Sequence, residues 1–130
     1  MSNASQRWEI GPVFVVRDVP TSIAWWCDVM GFEVLGSFKD PPVMAFVGRD
    51  GIQLMLHGSR DTIPGSNRDH KPGVWDAHIW VGDADALHAE LTARGAQLTE
   101  VRDTFYGHRE FEATDPDGLV IAFGSKTMAG

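Results

Sequence analysis

Apolar and polar positions along the chain change period in a fixed order, and the order occurs twice. Val13 to Val16 is a short apolar run that predicts a strand. Asp18 then opens a helix with Pro20 in its first turn, where the missing N–H of proline costs nothing. Ile23, Trp26, Cys27 and Met30 follow at i, i+3, i+4 and i+7, one helical stripe, and Gly31 supplies a left-handed stop. Strands are predicted at Phe32 to Leu35 and Val43 to Val47, then a tight turn at Asp50-Gly51 and a strand at Ile52 to Leu56.

The second half repeats the series. His78 to Val81 reads as a strand, and Asp83 opens a helix carrying Ala84, Leu87 and Leu91 that Gly95 ends. Strands at Ala96 to Val101 and Arg109 to Ala113 lead to the Asp117-Gly118 turn and a last strand, Leu119 to Phe123. The shifts between copies are nearly constant: 65 positions from Asp18 to Asp83, 64 from Gly31 to Gly95, 67 from Asp50 to Asp117. The chain therefore reads as two copies of strand–helix–strand–strand–strand. The predicted architecture is α+β. A single domain spans residues 8–126, with module one at 10–57, a linker at 58–74 and module two at 75–124. The stretch from Gly58 to Gly73, rich in Gly, Pro, Ser, Asn and charge, reads as a surface loop or lid.

The chain has 130 residues, 43% hydrophobic and 22% charged, enough for one core without staples. Eleven Lys and Arg face eighteen Asp and Glu, a net charge of −7 with no basic stripe, so nucleic acid is not an expected partner. No apolar run is long enough for a membrane span, and Met1 to Glu9 lacks the pattern of a secretory signal. Ser2-Asn3-Ala4 reads as an expression scar. The one cysteine, Cys27, forbids an internal disulfide and suits a cytoplasmic location; on its helical stripe it is expected to be buried and inert. No Gly-x-Ser-x-Gly elbow or phosphate-cradling loop occurs, and Asp115-Pro116-Asp117-Gly118 is a turn rather than a calcium loop. His70 and His88 read as solvent-facing.

Two βαβββ modules of this size resemble the vicinal oxygen chelate superfamily, the glyoxalase, bleomycin-resistance and ring-cleaving dioxygenase group. The likeness is carried by Val16-Arg17-Asp18-Val19, Ser22-Ile23-Ala24-Trp25-Trp26 and Asp28-Val29-Met30-Gly31-Phe32. The second half adds Asp85-Ala86-Leu87, Glu90-Leu91, Arg94-Gly95-Ala96, Gly107-His108-Arg109-Glu110-Phe111 and Asp115-Pro116-Asp117-Gly118. The resemblance implies a curved mixed sheet around a cup, helices outside, and a homodimer that completes the ligand grooves. Strand alternation then assigns faces. Ile52, Leu54, Leu56, Ala77, Ile79, Val81, Phe111, Ala113, Leu119, Ile121 and Phe123 are expected beneath the helices. Gln53, Met55, His57, Asp76, His78, Trp80, His108, Glu110 and Glu112 are expected in the cup, with Val120 and Ala122.

Enzymes of the superfamily hold a divalent metal on four strand positions. Those positions correspond here to Gly11, Gln53, Asp76 (or His78 after a slip of two) and Ala122. Only the third is a good ligand, and a catalytic metal needs about three. The resemblance therefore points to the bleomycin-resistance type, which binds its drug without a protein-held catalytic metal. The expected function is sequestration of a planar or cationic small organic ligand, with no cofactor, no catalytic residue and no membrane or nucleic-acid partner. The expected binding residues are Gln53, Met55, His57, Asp76, His78, Trp80, Tyr106, His108, Glu110 and Glu112. Trp80, Phe38, Phe46, Phe105 and Tyr106 are the candidate walls, and Glu110 and Glu112 the groups to meet a cation. The alternatives are a metal-dependent lyase or dioxygenase, using two histidines and a carboxylate from the cup, and an interaction protein whose cup is filled. Against the site reading, Trp25 and Trp26 suit packing, Trp8 and Trp75 suit plugs at sheet ends, and Glu110 and Glu112 suit a solvated strand face.

Overall fold

The computed structural model describes residues 5–126 and shows the repeated series directly. Ser2-Asn3-Ala4 lies outside the described residues. Each module opens with a strand, β1 (Val13–Val16) or β5 (Ala77–Trp80), followed by a helix, α1 (Val19–Ala24) or α2 (Ala84–Ala93). Three strands complete each: β2 (Glu33–Phe38), β3 (Met44–Arg49) and β4 (Ile52–Gly58), then β6 (Arg102–Asp103), β7 (His108–Thr114) and β8 (Val120–Lys126).

The helices start where the sequence places them, because an aspartate caps each. Asp18 accepts from the Thr21 amide at 3.0 Å, and Asp83 from the Ala86 amide at 3.1 Å. The first helix does not keep one period. After Ala24 it widens into a π turn, Trp25–Val29, with the Met30 amide donating to the Trp25 carbonyl at 3.1 Å. Under-winding brings Ser22, Trp26 and Met30, four residues apart, onto the buried line. Cys27 is thereby turned to a half-buried position rather than the core. Burial still raises its thiol pKa, so it stays protonated and unreactive.

Each module forms a four-stranded mixed sheet of the same topology, β1-β4-β3-β2 and β5-β8-β7-β6. The first strand of each pairs parallel with the last, which the helical crossover permits, and the other pairs are antiparallel. Alternation separates the two faces as expected. Phe14, Val16, Ala45, Val47, Leu54 and Leu56 are buried under α1, and Phe111, Ala113, Ile121 and Phe123 form the matching layer under α2. Trp26 is fully buried between Phe14 and Phe32, with ring centroids 6.3 and 4.8 Å away. Burying an apolar side chain of this class contributes roughly 1.5–3 kcal/mol.

Several expectations need correction. Ile52, expected beneath a helix, is 40% exposed because β4 begins there, beside the Asp50-Gly51 turn. The strand expected at Ala96 to Val101 is a single bridge, Leu98 to Ala113, with the paired strand only at Arg102–Asp103. Trp8 plugs nothing: it is 87% exposed on an extended segment before β1. His88 is half-buried, its ring edge 5.0 Å from Phe111 and its Nε2 3.0 Å from the Thr99 carbonyl.

The modules meet along a seam. Arg49 of β3 donates to the Met30 carbonyl at 2.9 Å and reaches Glu90 of α2 at 2.6 Å, where Arg94 also binds. A Cβ on Gly31 would lie 2.7 Å from the Arg49 guanidinium, and the backbone there has φ +75°, so both space and conformation require glycine. The faces away from the helices remain open, and they carry the candidate site.

Candidate functional site

On the second module's open face, His78 pairs in register with Ala122 and Trp80 with Gly124, while Glu110 and Glu112 stand opposite Gly124 and Ala122. Alternation alone puts these side chains on one side. The strands bring their rings into a continuous row. Trp75 meets His78 at 4.8 Å between centroids, His78 meets Trp80 at 4.3 Å, Trp80 meets His108 at 4.5 Å, and His108 meets Tyr106 at 5.0 Å. Trp80 is 60% exposed and Tyr106 40%, so two flat rings of this row face outward.

Beneath the row lies Glu110, only 1% exposed. The Tyr106 hydroxyl donates to its carboxylate, 2.9 and 2.7 Å from the two oxygens, and His78 Nε2 lies 3.1 Å from Oε2. Burial, then the bond to Glu110, raises the Tyr106 pKa, so the phenol stays protonated and remains a donor. Gly124 makes the space: a Cβ there would sit 3.0 Å from the His78 ring.

The other two carboxylates of the face are also engaged. Arg68, from the segment between modules, grips Glu112 with two bonds of 2.9 and 2.8 Å, and Trp75 Nε1 adds a third at 3.2 Å. The Arg68 bond holds the Glu112 carboxyl below its ordinary pKa. Asp76 accepts from Ser66 Oγ at 2.6 Å, the Asn67 amide at 2.7 Å and the Val120 amide at 2.8 Å. It thereby pins the 3₁₀ turn Asn67–Asp69 to β8. An open groove of about 620 Å³ adjoins this end of the face, lined by Arg68, Thr99, Glu100, Arg102 and Glu112.

The first module's open face is largely apolar, with Gln53, His57 and Glu33 as its polar members. Met44 stands opposite His57 and Phe46 opposite Met55, while Val13 and Val15 flank Met55 and His57 in register. Val13 is 52% exposed and Phe38, at the far edge, 56%. Gln53, Met55 and His57 thus share one face, as alternation predicts, but on a different sheet from the aromatic row.

The structure brings His78, Trp80, Tyr106, His108 and Glu110 together, and places Glu112 and Asp76 beside them in structural roles. Of the two groups expected to meet a cation, Glu110 is buried under Tyr106 and Glu112 is bound by Arg68. Of the expected walls, Phe105 is fully exposed, its ring edge-on to Tyr106 at 5.0 Å. Trp75 and Arg68 were not singled out as site residues. Trp75 stands just outside the alternating strand, and Arg68 reaches the face from a loop, so neither has a periodic signal.

The four metal positions of the resemblance do not fit an ion. Gly11 and Ala122 have no donor, Gln53 is a weak one, and both Asp76 oxygens are occupied by O–H and N–H donors. No three metal-binding side chains cluster among the described residues.

Two βαβββ modules, each a four-stranded mixed sheet with its helix on one face, define a fold of the glyoxalase type. The chain belongs to the Glyoxalase/Bleomycin resistance protein/Dioxygenase superfamily, whose family model matches residues 10–123. Among solved structures it is similar to a bleomycin-binding protein from bleomycin-producing Streptomyces verticillus, complexed with copper(II)-bleomycin. That likeness has 26% identity and a TM-score of 0.68, over 95% of this chain and 98% of that one. An antibiotic-binding protein from Streptomyces sp. CB03234 matches at 20% identity and TM-score 0.68, over 95% and 100%. A glyoxalase-related enzyme from Clostridium phytofermentans matches at 17% and 0.73, over 96% and 99%. The latter two, with less sequence in common, show the fold alone. No curated protein sequence matches this chain.

Proposed function

We propose that this chain binds and sequesters a flat organic molecule, making and breaking no bond and using no resident metal or other cofactor. The observation that carries the reading is the row of five rings from Trp75 to Tyr106, set on a buried carboxylate and open on its outer side. Indole and phenol faces held rigidly against a sheet offer large contact area with little further loss of side-chain freedom. The neighbour crystallised with copper(II)-bleomycin supports an antibiotic as the ligand class.

We propose further that the working form is a homodimer in the cytoplasm. The largely apolar face of module one, with Val13 and Phe38 more than half exposed, is the complement that a flat ligand on module two lacks. A second copy supplies that face and encloses the ligand between two sheets. No helix among the described residues is long and apolar enough to cross a membrane.

The test is a titration of tryptophan fluorescence with a panel of flat aromatic antibiotics and copper(II)-bleomycin. Saturable quenching at one site per chain, lost in Trp80→Ala while the fold persists by circular dichroism, is the expected result. Linear quenching by every compound, or a saturable response that ignores Trp80, defeats the proposal. Dialysis against a chelator is expected to leave binding of the metal-free antibiotics unchanged.

A further inference from the structure

Hydrogen-bonding capacity on the open face of module two is unevenly used. Its carboxylates are taken, while two ring nitrogens of the row, His78 Nδ1 and His108 Nδ1, are buried with no partner among the described residues. Asp76 receives three bonds, Glu112 receives Arg68 and Trp75, and Glu110 is buried beneath Tyr106 and His78. The single hydroxyl proton of Tyr106 is committed to Glu110 as well. Glu100, in the side groove, is the one carboxylate near the face with no bond of its own among the described residues.

Arg68 is spent on Glu112, but two further cationic donors are not taken. Arg102 stands opposite Glu110 in the β6–β7 register, and Lys126 opposite His108 in the β7–β8 register, so both flank the aromatic row on its own side. Both are exposed, and neither forms an ion pair among the described residues. On the complementary face of module one, the patch formed by Val13, Val15, Met44, Phe46 and Met55 is apolar, with His57 beside it and Glu33 at the far end near Gln53. The chain's net charge of −7 acts over long range and is screened beyond about 8 Å at physiological salt, so contact groups decide selectivity.

We infer that the site takes a flat aromatic ligand bearing hydrogen-bond acceptors at its edge, of the carboxylate, sulfonate or carbonyl class, and selects against a cationic one. The row of rings holds the plane, and Arg102 and Lys126 read the edge. This rests on the chain being a binder of flat molecules, and it reverses the ligand charge that overall acidity suggests. A cation on this face finds every carboxylate of the row already bonded, and it meets two positive side chains.

The experiment uses three probes with one ring system: anthracene carboxylate, hydroxymethylanthracene and aminomethylanthracene. Each is titrated into the full chain and followed by fluorescence. The carboxylate is expected to bind about tenfold more tightly than the ammonium compound, with the alcohol between them. Arg102→Gln and Lys126→Gln are each expected to weaken the carboxylate about threefold, as exposed ion pairs do, and to leave the alcohol unchanged. Equal or tighter binding of the ammonium compound overturns the inference and leaves the binding function standing. A preference for the carboxylate that survives both substitutions also overturns it. If none of the three binds saturably, the proposed function fails with it.

Discussion

Two carboxylates show how differently burial can be met. Glu110 forms no ion pair with an Arg or Lys among the described residues and takes its bonds from the Tyr106 hydroxyl and the His78 ring. Removing one partner of a buried charged acceptor costs about 1–3 kcal/mol. Tyr106→Phe is therefore expected to lower stability by that amount in urea denaturation; an unchanged midpoint would show that Glu110 is satisfied another way. Asp115 is the second case. One oxygen accepts from the Asp117 and Leu119 amides, both at 2.8 Å, while the other is buried without a partner among the described residues. Burial pushes its pKa up from 3.8 to about 6. The folded chain thus holds this proton more tightly than the unfolded chain does. The contribution of Asp115 to stability must rise as pH falls from about 6 towards 3.8, and fall as pH rises through that window. Asp115→Asn does not titrate, so the stability of the native chain relative to this variant should increase between pH 7 and pH 5. A difference that is flat across that range would refute the assignment.

At the scale of elements, the segment between the modules is fastened down. Ser66, Asn67 and Arg68 tie it to Asp76 and Glu112, and its 3₁₀ turn has a capping box formed by Ser66 and Asp69. This answers the expectation of a loop or lid: the segment supports one end of the aromatic row, through Trp75. Because Arg68 depresses the Glu112 pKa, the bond is intact above the ordinary carboxylate pKa and is lost as pH falls through the lowered folded value. Arg68→Ala is expected to admit proteases to residues 59–74 at neutral pH, with cleavage products there appearing several-fold faster. Equal cleavage rates would mean that the Asp76 bonds alone hold the segment. The first helix teaches a related lesson. Its apolar stripe was legible as a helix, yet a π turn shifted which residues reach the core, because Trp26 needs the space between Phe14 and Phe32.

Across the whole molecule, the two modules share one core and one seam, and they leave their opposite sheet faces uncovered. A lone chain with this much apolar sheet surface is expected to self-associate, so sedimentation at micromolar concentration should give twice the mass of the chain. A single-chain mass under those conditions would remove the dimeric enclosure while leaving the aromatic row as an open platform. Ligand binding should then be weaker, since one face contributes about half of the contact.

The repeat, the helix caps and the strand alternation follow from residue order, because each depends on spacing along the chain. The Asp18 and Asp83 caps, and the shared side of His78, Trp80, Glu110 and Glu112, are of this kind. Which of those side chains stay available was decided only by the fold. Arg68 reaches Glu112 across 44 positions, and Tyr106 folds back over Glu110 through a turn. Neither contact has a period to betray it, and together they leave a face that looks acidic in sequence without a free carboxylate along its row of rings.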